Sequence, residues 1–444
     1  MPPVEPPAAP RVASPAAGAP AAGPAVAGPL AVAAPAAGPA TAGPSAAGAP
    51  AAAPPAAGPL AADLAGRLAE LAAQGLARAL RPAAGIDFSS NDYLGLARDP
   101  ALRGALLARL AALPPGEPLG APASRLLRGH TSLHAALERR LAAWKGTEAA
   151  LLFPSGYQAN VGLLGALVGP RDRALSDALN HASLIDGLRL AGCRRMIFPH
   201  LDLEALEREL ARPHPEGRTW LVTESLFSME GDAAPLDRYA ELASRHGAEL
   251  IVDDAHAAGL YGEARGSGLC EAFGVERRVA AVVSTLGKAV GLAGAFVAGP
   301  RVLVEYLVNR CRPFVFTTAA PPLLLLAVDA ALDRMAAEPE RRRRTLALAE
   351  RLRRRLAALG LERPPGSGPI VPLRLGDNAR ALAAAERLAA LGFDVRAIRP
   401  PTVPPGTARL RVSVHADHTE AEIDALAAAL AGVVGVPGAA TEDP

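Results

Sequence analysis

The sequence predicts an α/β fold with a large, mostly parallel sheet, followed by a smaller C-terminal α+β domain. Three observations support this prediction. From about residue 130, helical patterns alternate with short and almost wholly apolar runs, which is typical of parallel strands that are buried on both faces. After about residue 326 the pattern changes to a long Leu/Ala/Arg helical stretch with fewer strands. The 444 residues are enough for two domains and a large core.

Individual elements can be placed from the spacing of apolar residues. A helix face recurs over residues 133–144, and Gly146 ends it. A second helix is expected to begin at Pro235. The predicted strands of the large sheet are residues 149–153, 220–223, 249–253, 280–284 and 295–298. The predicted elements of the smaller domain are a helix over 339–359, a strand over 370–373, a helix over 379–391 and a strand over 409–414.

The N-terminus has an unusual composition. Its first sixty residues are almost entirely Ala, Pro, Gly and Val, which cannot bury enough side chain to offset the entropy of the chain. Order is expected to begin near Ala61, with leucines at helical spacing from Leu64 to Leu80 and Pro82 as the stop. The predicted organisation is a disordered tail (1–60), an N-terminal helix and arm (61–95), a large domain (96–325), a small domain (326–434) and a flexible tail (435–444).

Composition and charge indicate no nucleic-acid or membrane partner. The net charge is only +2, and the arginines of 341–344 and 353–355 lie on an amphipathic helix, which we interpret as a solvated face with Leu346, Leu352, Leu356 and Leu359 on the buried side. No signal peptide or membrane span is recognisable. The three cysteines lack metal-ligand spacing and are expected to be free thiols, so we predict a cytoplasmic protein.

A lysine follows the predicted strand over 280–284, in the string Ser284-Thr285-Leu286-Gly287-Lys288. A lysine at an interior strand end is costly unless it is neutralised or used covalently. A Schiff-base lysine meets that need, because desolvation lowers the pKa of the amine and makes it nucleophilic. The hydroxyls of Ser284 and Thr285 could hold a phosphate. Taken alone, the string is more often a surface lysine.

Two carboxylates and an imidazole follow the strand over 249–253, as Asp253, Asp254 and His256. A carboxylate against the ring nitrogen of pyridoxal phosphate (PLP) would keep that nitrogen protonated, and the imidazole could donate to the phenolic oxygen. Strand periodicity does not choose between the two aspartates. Metal binding is the rival interpretation, but companion ligands at metal spacing are lacking, so we predict no metal.

Two further strings complete the set of candidates. Ser155-Gly156-Tyr157 follows a strand and should open a helix, where backbone N–H groups suit a phosphate. Gly156 allows close approach of the backbone, and Tyr157 can lie beside a ring. His181 could stack on a flat cofactor or transfer a proton, although a lone histidine is more often structural.

Taken in chain order, these residues resemble the α-oxoamine synthases, a group of fold-type I PLP-dependent transferases. Ser89-Ser90-Asn91-Asp92-Tyr93-Leu94-Gly95-Leu96 resembles the opening motif of that family, and Glu224-Ser225-Leu226-Phe227-Ser228-Met229-Glu230-Gly231-Asp232 resembles its central motif. The resemblance extends from about Phe88 to His418. It implies the fold-type I fold, PLP as cofactor and a homodimer with a shared active site.

The resemblance also implies a role for each matching position. Lys288 matches the Schiff-base lysine, and Asp253 matches the partner of the pyridine nitrogen. The other implied cofactor contacts are His181 on the ring, His256 and Ser228 near the phenolic oxygen, Gly156, Tyr157 and Thr285 in the cradle, and Thr318 from the second subunit. The implied substrate contacts are Arg411 and Asn91 on the amino-acid carboxylate, and Arg399 in the C-terminal signature.

That signature, Ile398-Arg399-Pro400-Pro401-Thr402-Val403-Pro404 and on to Arg411, resembles the members that condense L-alanine with a pimeloyl thioester, carried by CoA or by a carrier protein. Glycine- or serine-using members, and a non-catalytic regulatory subunit on the same fold, stay open as alternatives. Two features differ from the family. Pro122 stiffens the loop before Ser124-Arg125, and the upstream arginine that contacts substrate in relatives could be Arg78 or Arg81.

Overall fold

The computed structural model describes residues 58–435. Contacts between Cα atoms divide the chain into two units, residues 1–62 and 63–444. The described part of the first unit is the start of the first helix, which begins at Pro59, slightly before the predicted Ala61. The predicted disordered tail up to residue 57 and the predicted flexible tail from residue 436 lie outside the described residues.

The described residues form fourteen helices and twelve strands. The helices are α1 Pro59–Ala73, α2 Pro100–Ala111, α3 Ser132–Lys145, α4 Gly156–Leu167, α5 Ala182–Ala191, α6 Leu203–Leu210, α7 Leu236–Arg245, α8 Leu269–Ala272, α9 Arg301–Arg310, α10 Arg312–Val315, α11 Pro322–Ala337, α12 Glu340–Ala358, α13 Asn378–Ala390 and α14 Glu420–Val434. The strands are β1 Ile86–Asp87, β2 Ala149–Phe153, β3 Arg173–Asp177, β4 Arg194–Phe198, β5 Thr219–Glu224, β6 Ala248–Asp253, β7 Ala281–Thr285, β8 Ala295–Gly299, β9 Ile370–Gly376, β10 Phe393–Asp394, β11 Arg396–Ile398 and β12 Ala408–Ser413.

The large sheet has seven strands in the order β2-β8-β7-β6-β5-β3-β4. Strands β7, β6, β5, β3 and β4 pair in parallel, and only β8 runs antiparallel to its two neighbours, β2 and β7. The predicted mostly parallel sheet is therefore confirmed. All five of its predicted strands are present within two residues of the expected bounds.

Both faces of this sheet are buried, which explains the continuous apolar runs in the sequence. Successive residues of one strand enter different core clusters: Ile251 and Val283 pack on one side, while Leu250 and Val282 pack on the other. Helices α4 and α5 cover the first side, and α6 and α7 cover the second. The alternation follows from the two-residue period of a strand.

The smaller sheet has the order β11-β12-β9, with antiparallel pairing throughout. Its residues pack with α12, α13 and α14 in a separate core cluster, as the predicted smaller α+β domain requires. The short strand β1 pairs in parallel with β10, so the segment before the opening motif is attached to this sheet region.

The first helix is shorter than predicted. Helix α1 ends at Ala73, although leucines continue at helical spacing to Leu80. Gly75 adopts a left-handed φ of 63°, and the backbone N–H of Leu76 donates to the carbonyl of Leu71 at 2.7 Å. A glycine in this conformation just after a helix closes its last carbonyls and turns the chain away. Leu80 is fully exposed as a result.

The arginine-rich helix α12 also differs from the prediction in part. Arg353 is not on a solvated face; it is fully buried, and its guanidinium donates to the carbonyls of Pro365 and Ile370. Burial lowers the pKa of Arg353 to about 10. Leu359, assigned to the buried side, is exposed. Arg353 therefore faces inward, where it supplies hydrogen-bond donors to backbone carbonyls that need them. The spacing of apolar residues in the sequence does not reveal that need.

Among the helices between residues 58 and 435, none is long and apolar enough to cross a membrane. The three cysteines, Cys193, Cys270 and Cys311, are buried free thiols.

A buried ion pair connects α3 to the end of β6. The Nζ atom of Lys145 lies 2.7 Å from Oδ2 of Asp254, and the two side chains are 2% and 0% exposed. Lys145 also donates to the carbonyl of Ser267. The Oδ1 atom of Asp254 accepts from Ser225 Oγ at 2.6 Å and from the backbone N–H of Leu269 at 3.1 Å. Both oxygens of the Asp254 carboxylate therefore accept hydrogen bonds from buried groups of the protein.

We expect Lys145→Met to lower the free energy of unfolding by about 3–5 kcal/mol, because Asp254 would remain as a buried charge without its partner. Urea denaturation followed by circular dichroism measures the change. The control is Arg245→Met, which removes an ion pair to Glu207 between side chains that are 49% and 48% exposed and should cost less than about 1 kcal/mol. Equal losses in the two variants would contradict the prediction.

Candidate active site

Polar side chains gather where the parallel strands end. Strands β3, β5, β6 and β7 finish at Asp177, Glu224, Asp253 and Thr285, and the register pairs Glu224 directly with Asp253. Carboxyl ends of parallel strands meet at one edge of the sheet, and ligands of open α/β sheets bind beyond that edge. The candidates from the sequence lie on the connections that leave it.

The structure separates the two neighbouring aspartates. Asp253 Oδ2 accepts from Asn160 Nδ2 at 2.6 Å, and its Oδ1 accepts from the backbone N–H of Ala255 at 3.0 Å. Asp254 points the other way, into the ion pair with Lys145. Asp253 is therefore the carboxylate that faces the candidate site.

Lys288 lies on the turn after β7 and is half-buried. Burial lowers the pKa of Lys288 to about 8, although the negative charges of Asp253 and Glu224 oppose the change. The sequence contains only two lysines, Lys145 and Lys288. Because Lys145 is engaged by Asp254 in the core, Lys288 is the lysine whose amine is available for covalent chemistry.

His181 caps the N-terminus of α5 beside Asp253. Its Nδ1 atom lies 2.7 Å from Ser183 Oγ, and Ser183 Oγ in turn accepts from Asn160 Nδ2 at 2.9 Å. Burial is the main cause that lowers the pKa of His181, but the residue keeps an exposed surface on which a flat ring can stack. The ring of Tyr157 is exposed too, and its hydroxyl donates to Asp186 at 2.8 Å.

A second group surrounds Arg411 on β12. Arg411 Nε donates to the Ser228 carbonyl at 2.6 Å, Nη1 to Ser413 Oγ at 2.8 Å and Nη2 to Asn91 Oδ1 at 3.0 Å. The Nη2 atom also lies 3.5 Å from the hydroxyl of Tyr93. This guanidinium is buried without a carboxylate partner within 4 Å among the residues the structure describes, which leaves its charge free for an anionic ligand.

Tyr93 joins this group to His256. Its hydroxyl lies 2.7 Å from His256 Nδ1 and is also 3.1 Å from Asn91 Oδ1. Burial lowers the pKa of His256 well below its usual value, with the positive charges of Lys288 and Arg411 adding to the effect. His256 is therefore neutral at neutral pH.

The residues present fit PLP. Ser284 Oγ and Thr285 Oγ1 are buried and have no hydrogen-bond partner within the described part of the chain, so they offer donors to a phosphate. A Cβ atom at Gly156 would lie 2.6 Å from Thr285 Cγ2, which explains the glycine at the start of α4, where free backbone N–H groups favour an anion. Asp253 is available for a ring nitrogen, and Lys288 for the aldehyde carbon.

A cavity of about 640 Å³ opens beside this group. His181 and Ser228 line it together with the loop of the C-terminal signature. The lining residues are Ala178, Leu179, Asn180, His181, Ala182, Ile185, Ser228, Met229, Glu230, Pro400, Pro401, Thr402, Val403, Pro404 and Pro405. Across residues 58–435, no group of three or more His, Cys, Asp or Glu side chains could hold a metal ion.

Two predicted site residues lie apart from the others. Arg399 lines a separate cavity and donates to the carbonyls of Gly75 and Ala77, so its guanidinium holds the N-terminal arm instead of facing the cavity beside His181. Thr318 is exposed in a groove with Leu127 and Phe316. Thr318 does not line the cavity beside His181.

Four side chains of the site carried no assigned role in the sequence: Tyr93, Asn160, Ser183 and Glu224. Tyr93 and Glu224 lie inside the two family motifs, and this position was the only indication in the sequence that they belong to the site. Glu224 is 2% exposed and its Oε1 has no hydrogen-bond partner among the described residues. Burial and the neighbouring Asp253 raise the pKa of Glu224 well above its usual value, which favours its neutral form.

The chain is similar to known proteins over most of its length. The family model described as aminotransferase class I and II matches residues 83–430. The 8-amino-7-oxononanoate synthase of Anaeromyxobacter dehalogenans strain 2CP-1 is 51% identical over 380 residues, which are 83% of this chain and 94% of that protein.

Solved structures are similar as well. A serine palmitoyltransferase from S. paucimobilis with bound PLP–myriocin has a TM-score of 0.77 at 30% identity, over 84% of this chain and 98% of the other. The crystal structure of 8-amino-7-oxononanoate synthase from Francisella tularensis has a TM-score of 0.66 at 26% identity. The similarity covers 79% of this chain and 98% of the other.

We predict that an amine-acylating reagent modifies Lys288 of the cofactor-free protein at a half-maximal rate near pH 8, because only the neutral amine is nucleophilic and burial lowers its pKa to about 8. Peptide mass spectrometry over a series of pH values measures the rate. Lys145 is the internal control and should stay unmodified while the protein is folded. A half-maximal rate near 10.5, the ordinary lysine value, would contradict the prediction.

Proposed function

Because this chain belongs to the aminotransferase class I and II family, we propose that it condenses L-alanine with a pimeloyl thioester to give 8-amino-7-oxononanoate, a biotin precursor, with release of carbon dioxide and the thiol carrier. The chain is a PLP-dependent acyltransferase, and its fold is that of the fold-type I PLP enzymes. The resemblance to the α-oxoamine synthases therefore holds for the enzyme class and for the fold.

One observation carries the proposal: Lys288, the only lysine outside the core ion pair, lies at the sheet edge beside Asp253. When bound there, PLP withdraws electrons from the substrate Cα. In our assignment Asp253 would keep the ring nitrogen protonated, the Lys288 amine would hold the cofactor, and the same amine would be the base that removes the substrate Cα proton. Its lowered pKa suits both tasks.

We assign the amino-acid carboxylate to Arg411. The guanidinium is fixed by Ser228, Ser413 and Asn91, and a planar fork held in this way can grip a carboxylate with two parallel hydrogen bonds. Asn91 is close enough to share the same ligand.

We assign the acyl chain to the cavity beside His181. Its wall combines apolar side chains with the proline-rich signature loop, which suits a methylene chain. Arg78 and Arg81 both line the separate cavity around Arg399, but Arg78 Nη2 also donates at 3.2 Å to the carbonyl of Pro400, a residue in the wall of the cavity beside His181. Of the two upstream arginines, we therefore assign Arg78 to the distal carboxylate of the pimeloyl group. Whether CoA or a carrier protein brings the acyl chain stays open.

We also propose that the active enzyme is a homodimer. Thr318 lies in an exposed groove with Leu127 and Phe316, whose exposures of 77% and 73% are high for large apolar residues. A second copy on this surface would cover both and bring Thr318 to the partner's phosphate site. The cytoplasmic location remains a prediction from the sequence.

A serine-using acyltransferase is the second candidate, because serine palmitoyltransferases have the higher TM-score among the structures described above. Sequence identity favours the alanine reaction, at 51% against 30%. The intact set of Lys288, Asp253 and Arg411 argues against a non-catalytic subunit.

The deciding experiment measures thiol release from pimeloyl-CoA by the PLP-loaded enzyme with L-alanine, glycine or L-serine. We expect L-alanine to be used at least about tenfold better, by kcat/KM, than the other two. Lys288→Ala should abolish release and provides the background rate. A preference for glycine or serine, or thiol release only from a longer acyl-CoA, would contradict the proposed substrates. The chain would then have the activity of another α-oxoamine synthase.

We further expect Arg411→Lys to raise the KM for L-alanine by about 10- to 100-fold, because a point charge cannot replace a bidentate grip worth roughly 1.5–3 kcal/mol. Steady-state kinetics with both substrates varied gives the value. Arg374→Lys is the control, since Arg374 lies on the neighbouring strand and is largely exposed. An unchanged KM in the Arg411 variant would remove this residue from the carboxylate site.

A further inference from the structure

Three hydrogen bonds connect the Asp253 carboxylate to the ring of His181. Asn160 Nδ2 donates to Asp253 Oδ2 at 2.6 Å and to Ser183 Oγ at 2.9 Å, and Ser183 Oγ lies 2.7 Å from His181 Nδ1. Asn160 and Ser183 are 1% and 0% exposed. The connection therefore runs through side chains that water does not reach.

The direction of each hydrogen bond can be deduced. The backbone N–H of Ser183 donates to His181 Nδ1 at 3.2 Å, so that nitrogen is an acceptor and carries no proton. Ser183 Oγ already accepts from Asn160, so its own proton is directed to the same Nδ1. The lone pair of Nδ1 thus receives two donors from one residue.

The orientation of the Asn160 amide follows from Asp253. Turning the amide over would place its oxygen 2.6 Å from a carboxylate oxygen of Asp253, and two acceptors at that distance repel. With the nitrogen facing Asp253, the Asn160 Oδ1 atom has no hydrogen-bond partner among the described residues. This buried unsatisfied oxygen costs free energy, so the two N–H donors must serve a purpose that offsets it.

We propose that Asn160 and Ser183 are positioning residues that hold His181 in the neutral form with its proton on Nε2. In this form His181 offers a hydrogen-bond donor, and not an acceptor, to the cavity that it lines with Ser228. Under the proposed function, on which this inference rests, the Nε2–H group faces the thioester oxygen as negative charge develops on it. The Asn160 amide connects this donor to the Asp253 carboxylate through two hydrogen bonds.

The charged groups around His181 fit this assignment. Lys288 lowers the pKa of His181, and Asp253 and Asp186 raise it, but burial is the largest cause and lowers it. His256 and Glu224 also face this region, and burial favours the neutral form of each.

Ser183→Ala removes one of the two donors to Nδ1, and Ser176→Ala is a closely matched control. Ser176 is also buried, and its hydroxyl accepts from an asparagine amide, Asn180 Nδ2, at the same distance of 2.9 Å, but it does not contact His181. Loss of the donor should favour protonation of His181, so its pKa rises. The acid limb of the kcat profile should then move to higher pH in Ser183→Ala but not in Ser176→Ala.

The direct readout is ¹⁵N NMR of the histidine rings in the PLP-loaded enzyme, where the nine histidines give a tractable spectrum and His181→Gln identifies the resonance. We expect the wild-type His181 ring to carry its proton on Nε2 at neutral pH. In Ser183→Ala we expect kcat to fall about tenfold, the effect of one hydrogen bond, with the KM for L-alanine unchanged.

A wild-type His181 ring with its proton on Nδ1, or a charged ring at neutral pH, would overturn the inference without any variant. Equal changes of the kcat profile in Ser183→Ala and Ser176→Ala would overturn it as well, because they would indicate a general loss of packing. If no thioester is used by any variant while the ring still carries its proton on Nε2, the proposed function fails and the positioning of His181 stands.

Discussion

The ion pair between Lys145 and Asp254 determines how the central strand of the large sheet ends. Consecutive residues of a strand face opposite sides, so binding Asp254 to the core leaves Asp253 facing the site. The pair is shielded from water on both sides, and removing either partner would leave a charge that nothing else nearby neutralises. The position of Asp253, and through Asn160 and Ser183 that of His181, depends on this interaction.

Around Asp253 the site combines several ionisable groups, and burial decides which of them carry charge. Asp253 accepts from the Asn160 amide and the Ala255 backbone, and Arg411 donates to the Ser228 carbonyl. Desolvation favours the neutral forms of Glu224 and His256, because it opposes their charged forms. Glu224 and Asp253 are in register on adjacent strands, and repulsion by Asp253 adds to burial in raising the pKa of Glu224. Lys288 is intermediate between the charged and the neutral groups, because burial lowers its pKa to about 8.

Much of the fold follows from the sequence because a strand buried on both faces needs an apolar interior, as β5, β6 and β7 have at 220–222, 250–252 and 281–283. The site could be predicted only in outline. The two aspartates were indistinguishable by periodicity, and the core lysine that separates them lies more than one hundred positions away. Asn160 and Ser183 look like ordinary polar residues in the first turns of helices, and only tertiary packing shows what they bind. Arg353 was misplaced for the same reason: its partners are backbone carbonyls, which leave no pattern in the sequence.

The smaller sheet contributes to the site through one strand. Arg409 and Arg411 alternate on β12, and both bind the segment after β5: Arg409 pairs with Glu230 at 2.5 Å and reaches the Met229 carbonyl, while Arg411 binds the Ser228 carbonyl. That segment also lines the cavity beside His181. A carboxylate that binds Arg411 therefore acts on the same residues that border the acyl cavity, because Arg411 is fixed to them directly. Under the proposed function, recognition of the amino acid and shaping of the acyl cavity are therefore two consequences of one contact between β12 and the segment after β5.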